Sequence, residues 1–400
     1  MTQLNSEKNT KIGIAIAIVC FLSNLSQLPF FVDLSLSSPI YSLIWVIFAI
    51  YVLLYQGTLR VSREFLPYFI IMLAYLIFLS SAEILSDNRY LNTAIMYPFV
   101  LSMFIFCLSN NVGSRITEKD LVTIFTSYVL GALIVGLNIF VVYLAGADIT
   151  DRFYAYDSKN SISQILLTAI ILGLFYIVPK NKGIKRLFYI GVVIFLGISV
   201  VLLKSRATII SIPFIVLFAF IFGSEKDKRF RWKLLALVML VVIYLLLNPQ
   251  TLQSIIDNII YGGRDSESLD DISSGRWSEW QNFIKDLGEG WLFGNGRMKR
   301  ESLILTSILE YGIPMGLTII GVAISPLWFA ISHFKYKKQA IVVLFYVALC
   351  YFINSVFEQL APFGPGVKCY FLWMLFGILL AQKDKLKDKP KEALNEKTDK

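Results

Sequence analysis

Long apolar stretches alternate with short polar ones along this chain, at about 13–31, 39–55, 66–83, 92–109, 121–146, 161–179, 187–203, 207–223, 234–248, 312–334, 340–356 and 368–382. A helix needs roughly 17 to 25 mainly apolar residues to cross about 30 Å of hydrocarbon, so the pattern predicts an all-α integral membrane protein of about twelve transmembrane helices. The stretches 234–248 and 368–382 are the shortest. Residues 1–382 read as one polytopic membrane domain, interrupted by a single large loop at about 249–302. The tail 383–400, KDKLKDKPKEALNEKTDK, is too charged to bury a core and is predicted to be disordered. The first stretch reads as a retained anchor, because Asn24, Gln27 and Pro29 stand where a small-residue cleavage site would be expected.

Inside the large loop the period changes. Leu252, Ile255, Ile256, Ile259 and Ile260 recur at helical spacing, and so do Trp277, Trp280, Phe283, Ile284 and Leu287. Both sets predict amphipathic helices. Ser273 or Ser274 is the expected N-cap of the second, with Gly288 and Gly290 ending it. Its aromatic face suits three roles: the membrane interface, packing of the loop onto the outer surface, or contact with a substrate.

Charge turns the pattern into a topology. With the N-terminus inside, 25 of the 37 Lys and Arg residues fall on one side, as the positive-inside rule requires, and both termini are then cytoplasmic. The net charge of +9 is accounted for by topology, and no nucleic-acid partner is expected. The large loop becomes extracytoplasmic. Cys20, Cys107, Cys350 and Cys369 lie in or beside apolar spans without close spacing, which indicates neither a disulfide framework nor a zinc site.

The informative charges are the cations left on the outer side. In LLKSRAT, Lys204 and Arg206 sit between two apolar spans with no room for a hydrated loop. They can snorkel, pair with an acid such as Glu358, or bind an anionic ligand. DRFYAYDSKN, residues 151–160, groups Arg152, Tyr156, Lys159 and Asn160, and a third outer arginine is Arg276, beside Trp277. An arginine fork donates paired hydrogen bonds to phosphate, and an aromatic ring can stack on a sugar. His333 stands at the inner end of a span, so an outward-facing reaction would need a carboxylate as base. Glu301 is the candidate; its other readings are a charge at a helix N-terminus or a partner of Arg300 or Arg297.

Taken in order, SKNSISQILL, KSRAT, SGRWSEW, LFGNG and ESLILTSILEYGIPMG resemble the O-antigen polymerase and ligase superfamily of bacterial surface-polysaccharide assembly. The resemblance covers about 150–335 as motifs and the whole chain as topology. It implies a metal-independent glycosyltransferase without cofactor, of lipid-sugar (GT-C-like) architecture, in the bacterial plasma (inner) membrane. Its substrates would be oligosaccharides on polyprenyl diphosphate, and its partners membrane lipids with a flippase and a chain-length regulator. Arg206 and Arg276 match the family's arginines near the diphosphate, and Arg152 is a looser match. Lys159, Asn160, Lys204, Tyr156, Trp277, Arg297 and Arg300 would line the substrate site.

Ligases of that superfamily carry a His followed by Asn or Ser eleven residues before the glycine equivalent to Gly312; here that place holds Glu301 and Ser302. The departure favours a polymerase, with a ligase as one alternative and a flippase for the same lipid-linked sugar as another. Against the flippase, the chain shows no internal repeat.

Overall fold

The computed structural model describes residues 2–56, 62–85, 93–146, 159–222, 232, 239, 243–244, 246–250, 253, 256–257, 268, 270, 273, 275–296, 298, 300–364 and 369–387. Among these every regular element is helical. They are α1 (Thr2–Leu25), α2 (Pro29–Asp33), α3 (Ser37–Gln56), α4 (Leu66–Leu85), α5 (Met96–Gly113), α6 (Glu118–Leu144), α7 (Lys159–Lys180), α8 (Gly183–Leu202), α9 (Arg206–Phe222), α10 (Arg276–Leu287), α11 (Leu303–His333), α12 (Gln339–Phe357), α13 (Tyr370–Ala381) and α14 (Lys383–Lys387).

Eight helices are long and apolar enough to cross a membrane, and Lys11–Leu25, Arg206–Phe218 and Tyr370–Ala381 are shorter apolar helices. Eleven of the twelve expected spans thus have a helical counterpart; the twelfth, 234–248, falls mainly outside the described residues. Isoleucine and leucine side chains at Leu54, Ile84 and Ile184 are more than four-fifths exposed, a surface that water would not tolerate but lipid does. The chain is a multi-pass membrane protein.

Two boundaries differ from the expected ones. The first span ends at Leu25 and not near 31, because the chain turns through Ser26–Leu28 into the separate α2, which Pro29 opens. The tenth, expected at 312–334 after a helical stretch SLILTSILEYG, is continuous with that stretch, and the helix begins at Leu303. Its first nine residues carry Thr306, Ser307 and Glu310, which lower hydropathy although all three are fully buried. The charged tail also starts as structure: Lys383–Lys387 form α14, with Leu386 buried and the Lys385 ammonium donating to Ser114 O at 2.7 Å. Residues 388–400 lie outside the described residues.

Alpha13 explains how a short helix belongs to a bilayer bundle. Twelve residues rise only about 18 Å, less than the hydrocarbon thickness. Every residue from Tyr370 to Leu380 is buried, so protein and not lipid surrounds it. It packs closely on α5, where Phe106 stacks on Phe376 at 4.6 Å, and it ties to α1 through Tyr370 OH donating to Cys20 O at 2.9 Å. Alpha7 is the most enclosed long span, packed among α6, α8, α9 and α12.

The break in α11 anchors the outer loop. Gly312 has φ 79° inside an otherwise continuous helix. The LFGNG turn seats on that break: Asn295 N donates to Leu309 O at 2.8 Å and Gly296 N to Glu310 O at 3.3 Å. A Cβ at Gly294 (φ 79°) would collide with the Glu310 carbonyl, and one at Gly312 with the Leu292 carbonyl. Only glycine permits this backbone-to-backbone approach. Beside it, Tyr75 OH donates to Tyr311 OH at 3.0 Å and Tyr311 OH to Thr93 Oγ1 at 2.6 Å, pinning the break to α4.

Candidate functional site

Alpha10 is the second amphipathic helix of the outer loop; of the first, only residues 253, 256 and 257 are described. Its N-cap is Gly275, with φ 84°, in place of Ser273 or Ser274. Ser273 still serves the helix start from two residues upstream, its hydroxyl accepting from Trp277 N at 3.0 Å, while the Asp270 carboxylate accepts from Ser278 N at 2.8 Å. A carboxylate at that end also opposes the helix dipole. Gly288 ends the helix as expected, and Gly290 lies in the 3₁₀ turn that follows.

The apolar positions of α10 divide into two faces. Phe283 and Leu287 pack against Leu305, Ile308 and Leu309 on the first turns of α11. Trp277, Trp280 and Ile284 remain exposed, at 47%, 41% and 76%. The loop is therefore packed on the bundle by one face while its tryptophans stay on the surface.

The same docking brings charge together. Arg276, first residue of α10, donates from Nη1 to Ser273 O at 3.1 Å and from Nη2 to Glu301 Oε2 at 3.3 Å. Its side chain is only 20% exposed. Glu301 N in turn donates to Glu279 Oε2 at 3.0 Å. Glu301 thus holds Arg276, and Arg300 instead meets Asp286, 2.6 Å between Nη2 and Oδ2. Arg152, Tyr156 and Arg297 lie outside the described residues.

A second cluster forms where α7, α9 and α12 end. Asn160, one residue after Lys159 at the head of α7, donates from Nδ2 to Glu358 Oε1 and accepts at Oδ1 from Ser205 Oγ, 2.8 Å. Both ends of the amide are therefore engaged within the protein. Ser205 lies between Lys204 and Arg206 in the three-residue turn joining α8 to α9. Lys204 sits at φ 47°, a left-handed conformation that costs a non-glycine residue about 1 kcal/mol or more. Its ammonium makes no hydrogen bond or ion pair among the described residues.

Beneath this cluster the polar contacts continue inward. Ser163 and Thr208 hydroxyls lie 2.6 Å apart, and Gln164 Nε2 donates to Asn354 Oδ1 at 2.6 Å. Asn354 Nδ2 donates to Cys350 O at 2.8 Å and reaches Ser211 Oγ at 3.4 Å. Ser163, Thr208, Ser211 and Asn354 are all fully buried. In a bilayer such groups must find partners inside the protein, and here they lock three helices in register.

The two clusters share one end of the bundle. Glu301 is covalently next to Ser302, whose hydroxyl donates to Ser355 O at 3.4 Å. Ser355 lies less than one turn before Glu358, which Asn160 joins to Ser205 and so to the Arg206 turn. Arg276, Glu301, Glu358, Asn160, Lys204 and Arg206 are thus linked through a short chain of contacts.

Sequence reasoning had treated Glu358 only as a partner for the nearby cations. Its one signal was an acid at the outer end of an apolar span. The Gln164–Asn354 pair left none, since single amides at 190 residues' separation announce no contact.

No curated protein matches the chain significantly. Residues 190–315 match the family model described as O-antigen ligase, a stretch that runs from α8 through the break in α11 and contains Arg206, Arg276 and Glu301. Over residues 190–315 the chain is therefore similar to the O-antigen ligase family, and its helical membrane body is consistent with the O-antigen polymerase and ligase superfamily.

Proposed function

We propose that the protein is a polymerase of oligosaccharide repeat units carried on polyprenyl diphosphate, working at the outer face of the bacterial plasma membrane. The observation that supports this reading is the chain of contacts that links Arg276, through Glu301–Ser302 and Ser355, to Glu358, Asn160 and the Lys204–Arg206 turn at one end of the bundle. Transfer joins the acceptor hydroxyl oxygen to the anomeric carbon and breaks that carbon's bond to the diphosphate oxygen. The leaving diphosphate takes the electron pair and gains negative charge. Guanidinium groups held in place before the reaction, as Glu301 and Ser273 hold Arg276, stabilise that charge without reorganising, and the Lys204 ammonium adds to it.

Glu301 contributes by fixing the Arg276 guanidinium, and α10 covers the site as a docked lid. The exposed Trp277 and Trp280 suit the boundary between hydrocarbon and headgroups, where an indole is stable. Glu301–Ser302 in place of the ligase His favours polymerisation. The family description, O-antigen ligase, supports the second reading, transfer of finished polymer to a lipid or protein acceptor.

Deleting the gene from a host that retains its own ligase separates the readings. Acceptor capped with one repeat unit is the expected result. Uncapped acceptor with carrier accumulating outside indicates a ligase, and carrier accumulating inside indicates a flippase.

A further inference from the structure

At the end of the bundle opposite the Lys204–Arg206 turn, α6 and α8 part from each other. Midway along they touch: Phe140 meets Phe195 edge-on at 5.8 Å, and a Cβ at Gly136 would crowd Leu196 and Phe195. Toward the start of α8 a cavity of about 340 Å³ opens between them, with Val122 and Thr126 on one wall, Ile184, Lys185 and Phe188 on the other, and Asn181 from the turn before α8. Val122 and Thr126, like Ile184 and Phe188, stand four residues apart, so each helix turns one edge to the cavity. Ile184 is 84% exposed, and Leu187 and Phe188 are exposed beside it. In a bilayer this surface faces hydrocarbon, and the cavity lies on the lipid-facing perimeter.

Charge gathers at the same place. KNKGIKR, residues 180–186, puts Lys180, Lys182, Lys185 and Arg186 within two helical turns' length of chain. Lys180 is engaged, 3.5 Å from Glu118 and 4.0 Å from the centre of the Tyr176 ring. Asp120, the other acid at this end of α6, accepts from the backbone amide and the hydroxyl of Thr117 in the helix cap. Lys182, Lys185 and Arg186 are exposed and form no ion pair among the described residues. Such side chains lay an apolar stem on the protein and hold the charged head at the water boundary.

We propose that this groove binds an anionic phospholipid from the leaflet at that end, the cytoplasmic one on the topology that the charge pattern predicts. An acyl chain lies along Val122, Ile184 and Phe188, and the phosphodiester meets Lys182 and Lys185. A water-soluble phosphate would meet only the cations, and a lipid without net charge would gain little from them; an anionic phospholipid matches both parts of the groove. The chain's own tail offers no matching charge, since residues 388–400 hold four acids and four bases.

The test titrates the purified full chain in detergent with dioleoyl phosphatidylglycerol, dioleoyl phosphatidylcholine or glycerol 3-phosphate. Native mass spectrometry reads binding, and so does the rise in unfolding temperature that a ligand of the folded state produces. Phosphatidylglycerol should bind at least about ten-fold more tightly than phosphatidylcholine, with glycerol 3-phosphate not binding at the same concentrations. Lys182→Gln combined with Lys185→Gln should weaken phosphatidylglycerol binding at least about ten-fold and leave phosphatidylcholine unchanged. Thr126→Trp, which fills the cavity, should weaken it as much. Lys337→Gln combined with Lys338→Gln, at the same end of the bundle between α11 and α12, should stay within about two-fold of wild type.

Unchanged phosphatidylglycerol affinity in the Lys182 and Lys185 variant overturns the proposal. An equal loss in the Lys337 and Lys338 variant does so too, because it means a diffuse positive surface in place of a groove. Equal binding of phosphatidylcholine rules out the anionic class, and equally tight binding of glycerol 3-phosphate rules out the lipid. Full affinity in a folded Thr126→Trp removes the cavity from the account. If that variant does not fold, the exposed lysine pair and its control decide alone.

Discussion

At one end of the bundle side chains close onto backbone. Gln382 Nε2 donates to Gly113 O and Ile116 O, both at 2.7 Å, and Lys385 to Ser114 O, so the carbonyls left over at the end of α5 are satisfied. Thr117 and Asp120 cap α6 reciprocally, and Lys180 meets Glu118 at 3.5 Å. At the other end side chains meet side chains from distant parts of the chain: Asn160 with Glu358 and Ser205, Arg276 with Glu301. The first arrangement is what any helix end requires. The second gathers half-buried cations from distant segments at one end, and the proposed function assigns that gathering to an anionic ligand.

The sharpest way to break this comparison is to remove cations from each end in turn. Arg206→Ala and Arg276→Ala should each lower turnover of lipid-linked oligosaccharide at least about 100-fold, the scale seen when a preorganised donor to a developing charge is lost, with Lys in either place restoring only part. Lys180→Ala and Lys385→Ala should stay within about two-fold of wild type in the same assay. Equal losses at both ends would show that the contrast has no functional meaning.

The next effect is on the seat of the lid. Gly294→Ala or Gly312→Ala adds a Cβ that meets a carbonyl at a left-handed residue, and should destabilise by about 2–4 kcal/mol. Thermal unfolding in detergent reads this, and an unchanged midpoint would mean the turn does not dock on the α11 break. Asn354→Leu should cost about 1–3 kcal/mol, since it strands the Gln164 amide in the interior. The smallest effects belong to the opposite end. Gln382→Ala should cost about 1 kcal/mol and Lys180→Ala no more than about 0.5 kcal/mol, Glu118 being largely exposed.

The bundle was largely legible because hydrocarbon demands long apolar runs, and α3 to α9 follow them closely. Legibility failed where protein replaces lipid as the surroundings. The stretch SLILTSILEYG was legible as a helix leading into the tenth span, but the span itself was started at 312 because buried Thr306, Ser307 and Glu310 lower hydropathy. Alpha10 was visible from Trp277 to Leu287, yet which of its apolar residues pack could not be, since that depends on where Leu305 and Leu309 stand. In the site, Arg206 and Arg276 stood out as cations on the wrong side of the charge pattern. Glu358 did not, because its significance comes from Asn160, 198 residues away. LFGNG entered the sequence reading as one of the family-like motifs; what its glycines do, the close approach to α11, was not legible there.

The most direct test is the affinity of the purified chain for polyprenyl diphosphate without sugar, measured for wild type, Arg206→Ala, Arg276→Ala and Lys180→Ala. A shared diphosphate site predicts at least about ten-fold weaker binding in each arginine variant, about 1.4 kcal/mol, and wild-type affinity in Lys180→Ala. Unchanged affinity in both arginine variants would contradict it.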